Sequence, residues 1–258
     1  MDIFIKILVP FIAGMGAGIG TGFAGMSAAA AISPVLIAFL DVPAYEAVGI
    51  ALASDVLASG VSAYTYGKKG NLDIKGGTVL MLCVLLFTAV GSFISSLVSS
   101  TAMGSFSVIM TMLLGARFIF KPVMTTKEAM NSVSGRTRVI KSAVFGSLIG
   151  FICGFIGAGG GMMMLLVLTT VLGYELKCAV GTSVFVMTFT ALTGAASHFI
   201  IDGAPDLLIL SVSVISTLIF ARIAAKIANH ASPKVLNRTV GAVLITLGAA
   251  VLAVEYIF

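Results

Sequence analysis

Apolar residues run along this chain in long stretches that are separated by short polar joints. Between Lys75 and Arg117 the chain has no Asp, Glu, Lys or Arg. That interval has room for two helices of about 20 residues, the length that crosses a bilayer. Ten apolar stretches can be drawn, approximately over residues 3–24, 27–40, 47–66, 77–98, 101–120, 139–156, 160–173, 179–201, 207–226 and 239–257.

The composition supports a membrane protein. The 258 residues are 59% hydrophobic and only 10% charged, whereas soluble domains carry about 25% charged residues. The net charge of +5 would suggest a nucleic-acid partner in a soluble protein, but here the basic residues lie in short loops and none is expected. The first residues, with Lys6 before an apolar stretch, resemble a signal peptide but belong to the repeat described next. The pattern therefore predicts an all-α, polytopic membrane protein.

The two halves of the chain are related to each other. Residues 1–120 form the first predicted repeat, 121–138 a cytoplasmic connector, and 139–258 the second repeat. One register holds over some 35 residues: a shift of 132 places 22–25 on 154–157 and 47–49 on 179–181. With one more inserted residue, 70–73 falls on 203–206.

Charge predicts how the halves sit in the membrane. With both termini on the periplasmic side and the stretches crossing in order, Lys6 is the one basic residue of the 15 placed outside. Cytoplasmic loops carry the excess of Lys and Arg, which supports this orientation. The basic joint Lys68–Lys75 then corresponds to the acidic joint Asp202–Asp206 on the opposite side. Equivalent loops on opposite sides are typical of five-segment inverted repeats in transporters.

The first two stretches of each half are too cramped for two ordinary spans. Their uncharged windows are 34 residues (Ile7 to Leu40) and 33 residues (Ser142 to Tyr174). Two spans need about 40 residues and a turn. We therefore expect short or re-entrant, glycine-broken helices in each half.

A glycine-rich break opens the short stretch that begins near Met162. Its members Gly157, Gly159, Gly160 and Gly161 leave free backbone N–H groups at a helix start, which attracts anions. The alternative is that the glycines only allow close helix packing. We predict substrate binding here, together with the weaker first-half copy at Gly25 and Ser27.

A second motif adds hydroxyl groups to the predicted substrate site. Gly181, Thr182 and Ser183 follow the next joint, and Gly49 is the first-half counterpart of Gly181. The two hydroxyls can donate to an oxyanion, or can instead bond to carbonyls of their own helix. No Lys or Arg lies deep in a stretch, so a bound anion would be held by backbone N–H and hydroxyl groups.

Two titratable residues are candidates for proton coupling. Asp55 lies in the middle of the third stretch, where a carboxylate is costly and marks a functional site by default; a structural hydrogen bond is the alternative. Its counterpart in the second half is Met187. His198 is either a proton relay or an interfacial side chain.

Metal, cofactor and enzyme roles have weaker support. Met162, Met163, Met164, Cys153 and His198 suggest a soft-metal site, but three consecutive helical residues point about 100° apart and cannot face one ion. The three cysteines have no paired spacing. The sequence shows no clustered nucleophile, base or metal set for an enzyme, and we expect no cofactor.

The second half resembles the TauE/SafE family of sulfite exporters. The resemblance rests on residues 157–161, then 179–183, then the small-residue run to His198. It covers nearly the whole chain, although the first-half copies at Gly25 and Gly49 depart from the pattern. It implies a secondary carrier that exports small sulfur-containing anions across the bacterial inner membrane.

These observations together predict a multi-pass secondary transporter of small anions, most simply sulfite or organosulfonates, with protons as the candidate coupling ion. The partners are the anionic substrate and the lipid bilayer. A passive anion channel is the main alternative, and a soft-metal transporter is the lesser one.

Overall fold

The computed structural model describes residues 3–95, 112–113, 115–131, 134–156 and 160–257, and every regular element in these ranges is helical. The fifth apolar stretch, 101–120, lies largely outside them. The helices with defined bounds are α1 (Ile3–Ala24), α2 (Ala29–Leu40), α3 (Ala44–Gly67), α4 (Ile74–Ser95), α5 (Lys127–Asn131), α6 (Gly135–Ile156), α7 (Gly160–Thr170), α8 (Leu176–Asp202), α9 (Leu207–His230) and α10 (Pro233–Ile257). The predicted all-α fold class is confirmed.

Several helices suit a bilayer by their length and surface. Within the described ranges, α1, α3, α8 and α9 are long and apolar enough to cross a membrane. One side of α9 exposes large apolar side chains at intervals of four residues, which would be unfavourable in water but suits contact with lipid. This stripe consists of Ile215, Ile219, Ile223 and Ile227.

Two helices are too short to cross the bilayer. Helix α2 has 12 residues and α7 has 11, which is about 18 Å or less of helix at 1.5 Å per residue. The hydrocarbon core is about 30 Å thick. Asp41 (φ 50°) ends α2 and Gly173 (φ 65°) follows α7, both in the left-handed conformation that commonly terminates helices. The expectation of short helices in each half is therefore confirmed.

Helices α3 and α8 form an antiparallel pair through the centre of the molecule. A Cβ at Gly49, near the start of α3, would lie 3.2 Å from the Cβ of His198 near the end of α8. At the other end of the pair, a Cβ at Gly181 would lie 2.8 Å from the Cβ of Tyr66. Glycine thus allows close approach of the two helices at both ends of the pair.

Two parallel helix pairs flank this centre. Helix α1 packs along α9 and α6 packs along α4. Glycines spaced four apart bring the backbones together in each pair, as small residues do in membrane helices. A Cβ at Gly18 would lie 2.5 Å from the carbonyl oxygen of Thr217, and one at Gly150 would lie 2.5 Å from that of Val84.

The connector between the halves is anchored to α10. The buried Asn237 side chain accepts a hydrogen bond from the Val123 N–H (2.7 Å) and donates one to the Val123 carbonyl oxygen (2.9 Å). These two bonds pair the buried backbone N–H and carbonyl groups of Val123, which lies outside any helix. Left unpaired, these buried polar groups would destabilise the fold. Helix α6 begins at Gly135, because its first turn extends into the polar residues that precede the apolar stretch.

Candidate functional site

The two glycine breaks meet inside the molecule. The first lies between α1 and α2, where Gly25 has a φ of 61°. The second precedes α7, whose Gly161 is buried against the first break. A Cβ at Gly161 would lie 2.5 Å from the Gly25 carbonyl oxygen and 3.1 Å from the Ser27 backbone nitrogen. The starts of α2 and α7 are therefore brought together, and only glycine fits between them.

Ser183 bridges the two breaks. Its Oγ lies 3.4 Å from the Gly25 carbonyl oxygen and 3.3 Å from that of Gly161. The side chain is fully buried. One hydroxyl has a single proton to donate, so it bonds to one of these carbonyls at a time. Of the three residues in the predicted hydroxyl motif, Ser183 is the one in contact with both breaks.

The Asp55 carboxylate lies beside the start of α2. It lies halfway along α3 with 1% of its surface exposed. Ser59 donates a hydrogen bond to Oδ1 (2.7 Å) and Ser27 donates one to Oδ2 (2.8 Å), while the Ala28 backbone N–H also interacts with the carboxylate. The positive end of α2 therefore already has an anionic partner from the chain itself.

The start of α7 has a different neighbour. Met187, at the position in α8 that corresponds to Asp55, places its Sδ 2.6 Å from where a Cβ on Gly161 would lie. The Ser183 Oγ is 3.7 Å from the same sulfur. Among the described residues the two helix starts thus differ in charge: one faces a carboxylate and the other a thioether. Gly160 begins α7 and is half-buried; Gly157 and Gly159 lie outside the described residues.

Gly181 and Thr182 lie toward one end of the α3–α8 pair. The Thr182 hydroxyl accepts a hydrogen bond from the Asp73 backbone N–H (3.1 Å). Gly181 contacts the Asn71 carbonyl oxygen at the same end. Successive helical residues point about 100° apart, which separates the Thr182 side chain from that of Ser183. The structure therefore does not bring Gly181 or Thr182 to the meeting point of the breaks.

Gly49 and His198 lie at the opposite end of the α3–α8 pair. They line a small open cleft together with Tyr45, Glu46 and Gly203. The His198 Nδ1 is 3.0 Å from the Tyr45 carbonyl oxygen, and the two rings stack with centroids 4.0 Å apart. His198 is therefore separated from Asp55 along α3 by the six positions from Gly49 to Asp55, about 9 Å at 1.5 Å per residue.

Comparison with known proteins identifies the family. The family model "Sulfite exporter TauE/SafE" matches residues 10–251. The chain belongs to the TauE/SafE family. From Bacillus subtilis (strain 168), the protein named "Probable membrane transporter protein YdhB" is 26% identical over 226 residues, which cover 86% of this chain and 90% of that protein. "Probable membrane transporter protein YunE" of the same strain is 24% identical over 216 residues, with 78% and 79% coverage. No solved structure matches significantly.

Membership of the TauE/SafE family makes the chain a multi-pass membrane transporter, as the resemblance implied. Sequence reasoning nevertheless missed several residues near the breaks and the helix ends. Ser59 follows Asp55 by four residues, a spacing that places two side chains on one helix face. This spacing was a usable signal. Tyr174, whose hydroxyl donates to Asp73 Oδ2 over 2.6 Å, gave none, because the two residues are 101 positions apart.

The described part of this TauE/SafE chain has no group of three or more His, Cys, Asp and Glu residues placed to hold a metal ion. Cys83 and Cys178 are free thiols. Met162 and Met164 are buried, whereas Met163 is only partly buried, which fits the expectation that consecutive helical residues point in different directions.

Proposed function

We propose that the chain is a secondary carrier that exports small oxyanions, with sulfite and organosulfonates as the substrate class. The observation that carries the proposal is the contact between Gly161 and the Gly25 break beside Ser183. Irregular backbone at membrane depth persists where protein or a water-filled cavity covers it. Backbone N–H groups and hydroxyls suit an oxyanion because they donate hydrogen bonds and add no fixed charge.

We place the anion at the start of α7 rather than at that of α2. Asp55 already supplies negative charge to the start of α2 through Ser27 and Ala28, and a second anion there would be repelled. The start of α7 faces Met187 instead. The contacts of the anion are therefore proposed to come mainly from the second half, from Gly160, Gly161 and Ser183. Gly157 and Gly159, also predicted from the sequence, lie outside the described residues.

We further propose that the two halves are inverted repeats. The helix pairs support this. The sequence register relates α1 to α6 and α4 to α9, so the α1–α9 pair of the structure corresponds to the α6–α4 pair. Contacts in the sequence register support it as well: Gly49 with His198 corresponds, 132 positions on, to Gly181 with Tyr66. Transporters of this architecture bind substrate near the midplane, where the repeats meet.

Asp55 is the proposed proton carrier. It is the acidic side chain that lies beside the breaks in the described structure, and two serine hydroxyls hold it. A carboxyl group in such a position can alternate between charged and neutral forms as the pathway opens to either side. His198 lies in the cleft near one end and is proposed to relay protons at that entrance only. The proposed location is the bacterial inner membrane.

Flux measurements test the function. Purified protein in proteoliposomes is given sulfite, sulfoacetate or taurine, with and without an imposed pH gradient. We expect flux of sulfite or sulfoacetate that saturates, exchanges across the membrane and responds to the gradient. Downhill flux that neither exchanges nor responds to pH would instead indicate a passive anion channel, and no anion flux in any arm would reject the proposed substrate class.

A further inference from the structure

Two ion pairs join the halves of the chain in the same way. Lys6 Nζ on α1 is 2.9 Å from Asp206 Oδ2, and Arg138 NH1 on α6 is 3.5 Å from Asp73 Oδ2. In each pair the cation lies on the first helix of one half, and the carboxylate directly precedes the fourth helix of the other half. The sequence offsets, 132 between the cations and 133 between the carboxylates, are those that relate the two halves elsewhere.

The carboxylates also hold the helix starts. Asp206 Oδ1 accepts hydrogen bonds from the Leu208 and Ile209 N–H groups of α9. Asp73 Oδ1 accepts one from the Gly76 N–H of α4 (3.0 Å). Each aspartate is thus both an N-terminal cap and the partner of a cation from the other half, which couples the start of one helix to the position of another.

The two pairs lie at opposite ends of the molecule. The Asp206 N–H donates to Glu46 Oε1 (2.9 Å) near the start of α3. Asp73 lies just beyond the end of α3, which has 24 residues and so spans about 36 Å at 1.5 Å per residue. That length exceeds the hydrocarbon core, so the pairs are at the two ends of any pathway that runs along α3.

The environments of the two pairs differ. Asp73 and Arg138 are each 16% exposed. Tyr174 donates to Asp73, and the Arg138 guanidinium lies 5.5 Å from the centroid of the Tyr174 ring. Lys6 and Asp206 are 36% and 32% exposed, next to the cleft at Glu46 and Gly49. The Asp73 end is therefore the more tightly closed one.

The protonation of these groups fits this arrangement. Burial, followed by the hydrogen bond to Asp73, raises the pKa of the Tyr174 phenol well above its usual range, so the phenol remains a donor. The hydrogen bond from Lys6 is the main cause that lowers the pKa of Asp206, so this carboxyl remains charged. The Lys6–Asp206 contact is thus both an ion pair and a hydrogen bond, whereas Arg138 and Asp73 approach as an ion pair.

We propose that the two ion pairs are the gates of the carrier, with Arg138–Asp73 closing one end of the substrate pathway and Lys6–Asp206 closing the other. This inference rests on the proposed function only in that the chain is a carrier with two entrances. A carrier must not open both entrances at once. Equivalent pairs in two inverted halves provide this, because weakening one end favours the state in which the other end is closed.

Cysteine accessibility tests the gates without any substrate. Cys83, Cys153 and Cys178 are replaced by serine, and one reporter is introduced at Ala47 or at Ala179. These two positions correspond in the halves, are both fully buried, and lie near the Asp206 end and the Asp73 end respectively. The labelling rate with N-ethylmaleimide is then measured in membranes for each reporter.

We expect opposite shifts from the two gates. Arg138→Gln increases labelling of Ala179→Cys and decreases that of Ala47→Cys, and the ratio of the two labelling rates changes about fivefold if the pair contributes about 1 kcal/mol to the closed state. Lys6→Gln has the reverse effect. Arg138→Lys and Lys6→Arg keep the charge and stay close to the parent protein. Asp73→Asn, which keeps an oxygen for the Gly76 N–H, replaces Arg138→Gln if that variant does not fold.

Labelling that rises at both reporters in each variant, or that does not change, would overturn the gates and leave the pairs a structural role. The outcome is independent of the substrate. Opposite shifts without any sulfite or sulfonate flux would support the proposed gates and contradict the proposed substrate class. Anion flux without opposite shifts would support the substrate class and contradict the gates.

Discussion

At the scale of single residues, the site depends on the absence of a side chain at Gly161 and on the hydroxyl of Ser183. The first allows two helix starts to meet, and the second links their carbonyl groups. Neither residue carries charge. Among the described residues, Asp55 is the buried carboxylate at this depth, and serines hold it. Binding and coupling are thus assigned to different side chains, and each can be tested separately.

Gly161→Ala is expected to lower the transport rate strongly. The added Cβ would lie 2.5 Å from the Gly25 carbonyl oxygen, and backbone at this position cannot move aside as a flexible side chain can. Overpacking of this kind costs about 1–3 kcal/mol, enough to lower the transport rate about tenfold or more. Substrate flux in proteoliposomes measures the effect.

Gly60→Ala on α3 is the matched control for this variant. Its Cβ would lie 3.7 Å from the Thr188 Cγ2, which is ordinary van der Waals contact, and we expect normal flux. Wild-type flux in Gly161→Ala, with the protein inserted and stable, would remove the glycine contact from the mechanism.

Asp55→Asn is expected to uncouple transport from the pH gradient while leaving anion binding in place. The amide keeps an acceptor for Ser27 or Ser59 but cannot take up a proton. With one-to-one coupling, a gradient of one pH unit supports an accumulation of about tenfold, and this accumulation is lost in the variant.

Ser54→Ala provides the control for Asp55→Asn, because the neighbouring buried hydroxyl donates to the Ile50 carbonyl of its own helix. Its flux is expected to respond to pH like that of the parent. An Asp55→Asn protein that still accumulates substrate against its gradient would show that the proton is carried elsewhere.

At the scale of the helices, the chain is held together by glycine-lined contacts. Gly14 and Gly18 place α1 against α9, and Gly146 and Gly150 place α6 against α4. The four-residue spacing of these glycines is visible in the sequence and predicts a close helix contact. It does not identify the partner helix, since both candidate faces are made of the same small apolar residues.

Gly18→Ala is expected to lower thermal stability in detergent, whereas Gly16→Ala is not. At Gly18 the Cβ would lie 2.5 Å from the Thr217 carbonyl oxygen; at Gly16 its neighbour is the Leu247 Cδ2 at 3.3 Å, the end of a flexible side chain. Both changes raise helix propensity by about 1 kcal/mol, so the difference isolates packing.

The midpoint temperatures of the two variants can be compared by size-exclusion chromatography after heating. A Gly16→Ala protein that is destabilised as much as Gly18→Ala would contradict the α1–α9 contact as the cause.

At the scale of the whole molecule, the antiparallel α3–α8 pair and the two flanking pairs surround the meeting point of the breaks. The apolar stripe on α9 faces away from this centre, as expected of a surface in contact with lipid. The arrangement places the two proposed gates at opposite ends of α3. It also makes the orientation of each half open to direct measurement.

Lys69→Cys and Ala204→Cys test the inverted topology. Both residues are exposed, and each follows the third helix of its half. In a protein without its native cysteines, we expect a membrane-impermeant maleimide to label Ala204→Cys in intact cells. Lys69→Cys is expected to be labelled only after permeabilisation, since the basic joint faces the cytoplasm. Labelling of both from the same side would contradict inverted repeats.

Helix positions, the membrane environment and the two short helices could all be read from the sequence, because hydropathy, charge and glycine content act within a window of about 20 residues. The helix ends were less exact. Helix α4 begins at Ile74 rather than near residue 77, because hydropathy does not detect the polar residues in the first turn of a helix. The division into two related halves and the register between them stay predictions from the sequence.

The tertiary structure alone decided which donors meet. Ser183 reaches both breaks while its neighbour Thr182 bonds to Asp73, a difference set by the rotation of α8 against α3. Asp55 meets Ser27, and Lys6 meets Asp206 across 200 positions. Such contacts depend on how helices pack, and apolar surfaces that are alike in composition do not specify their partners in the sequence.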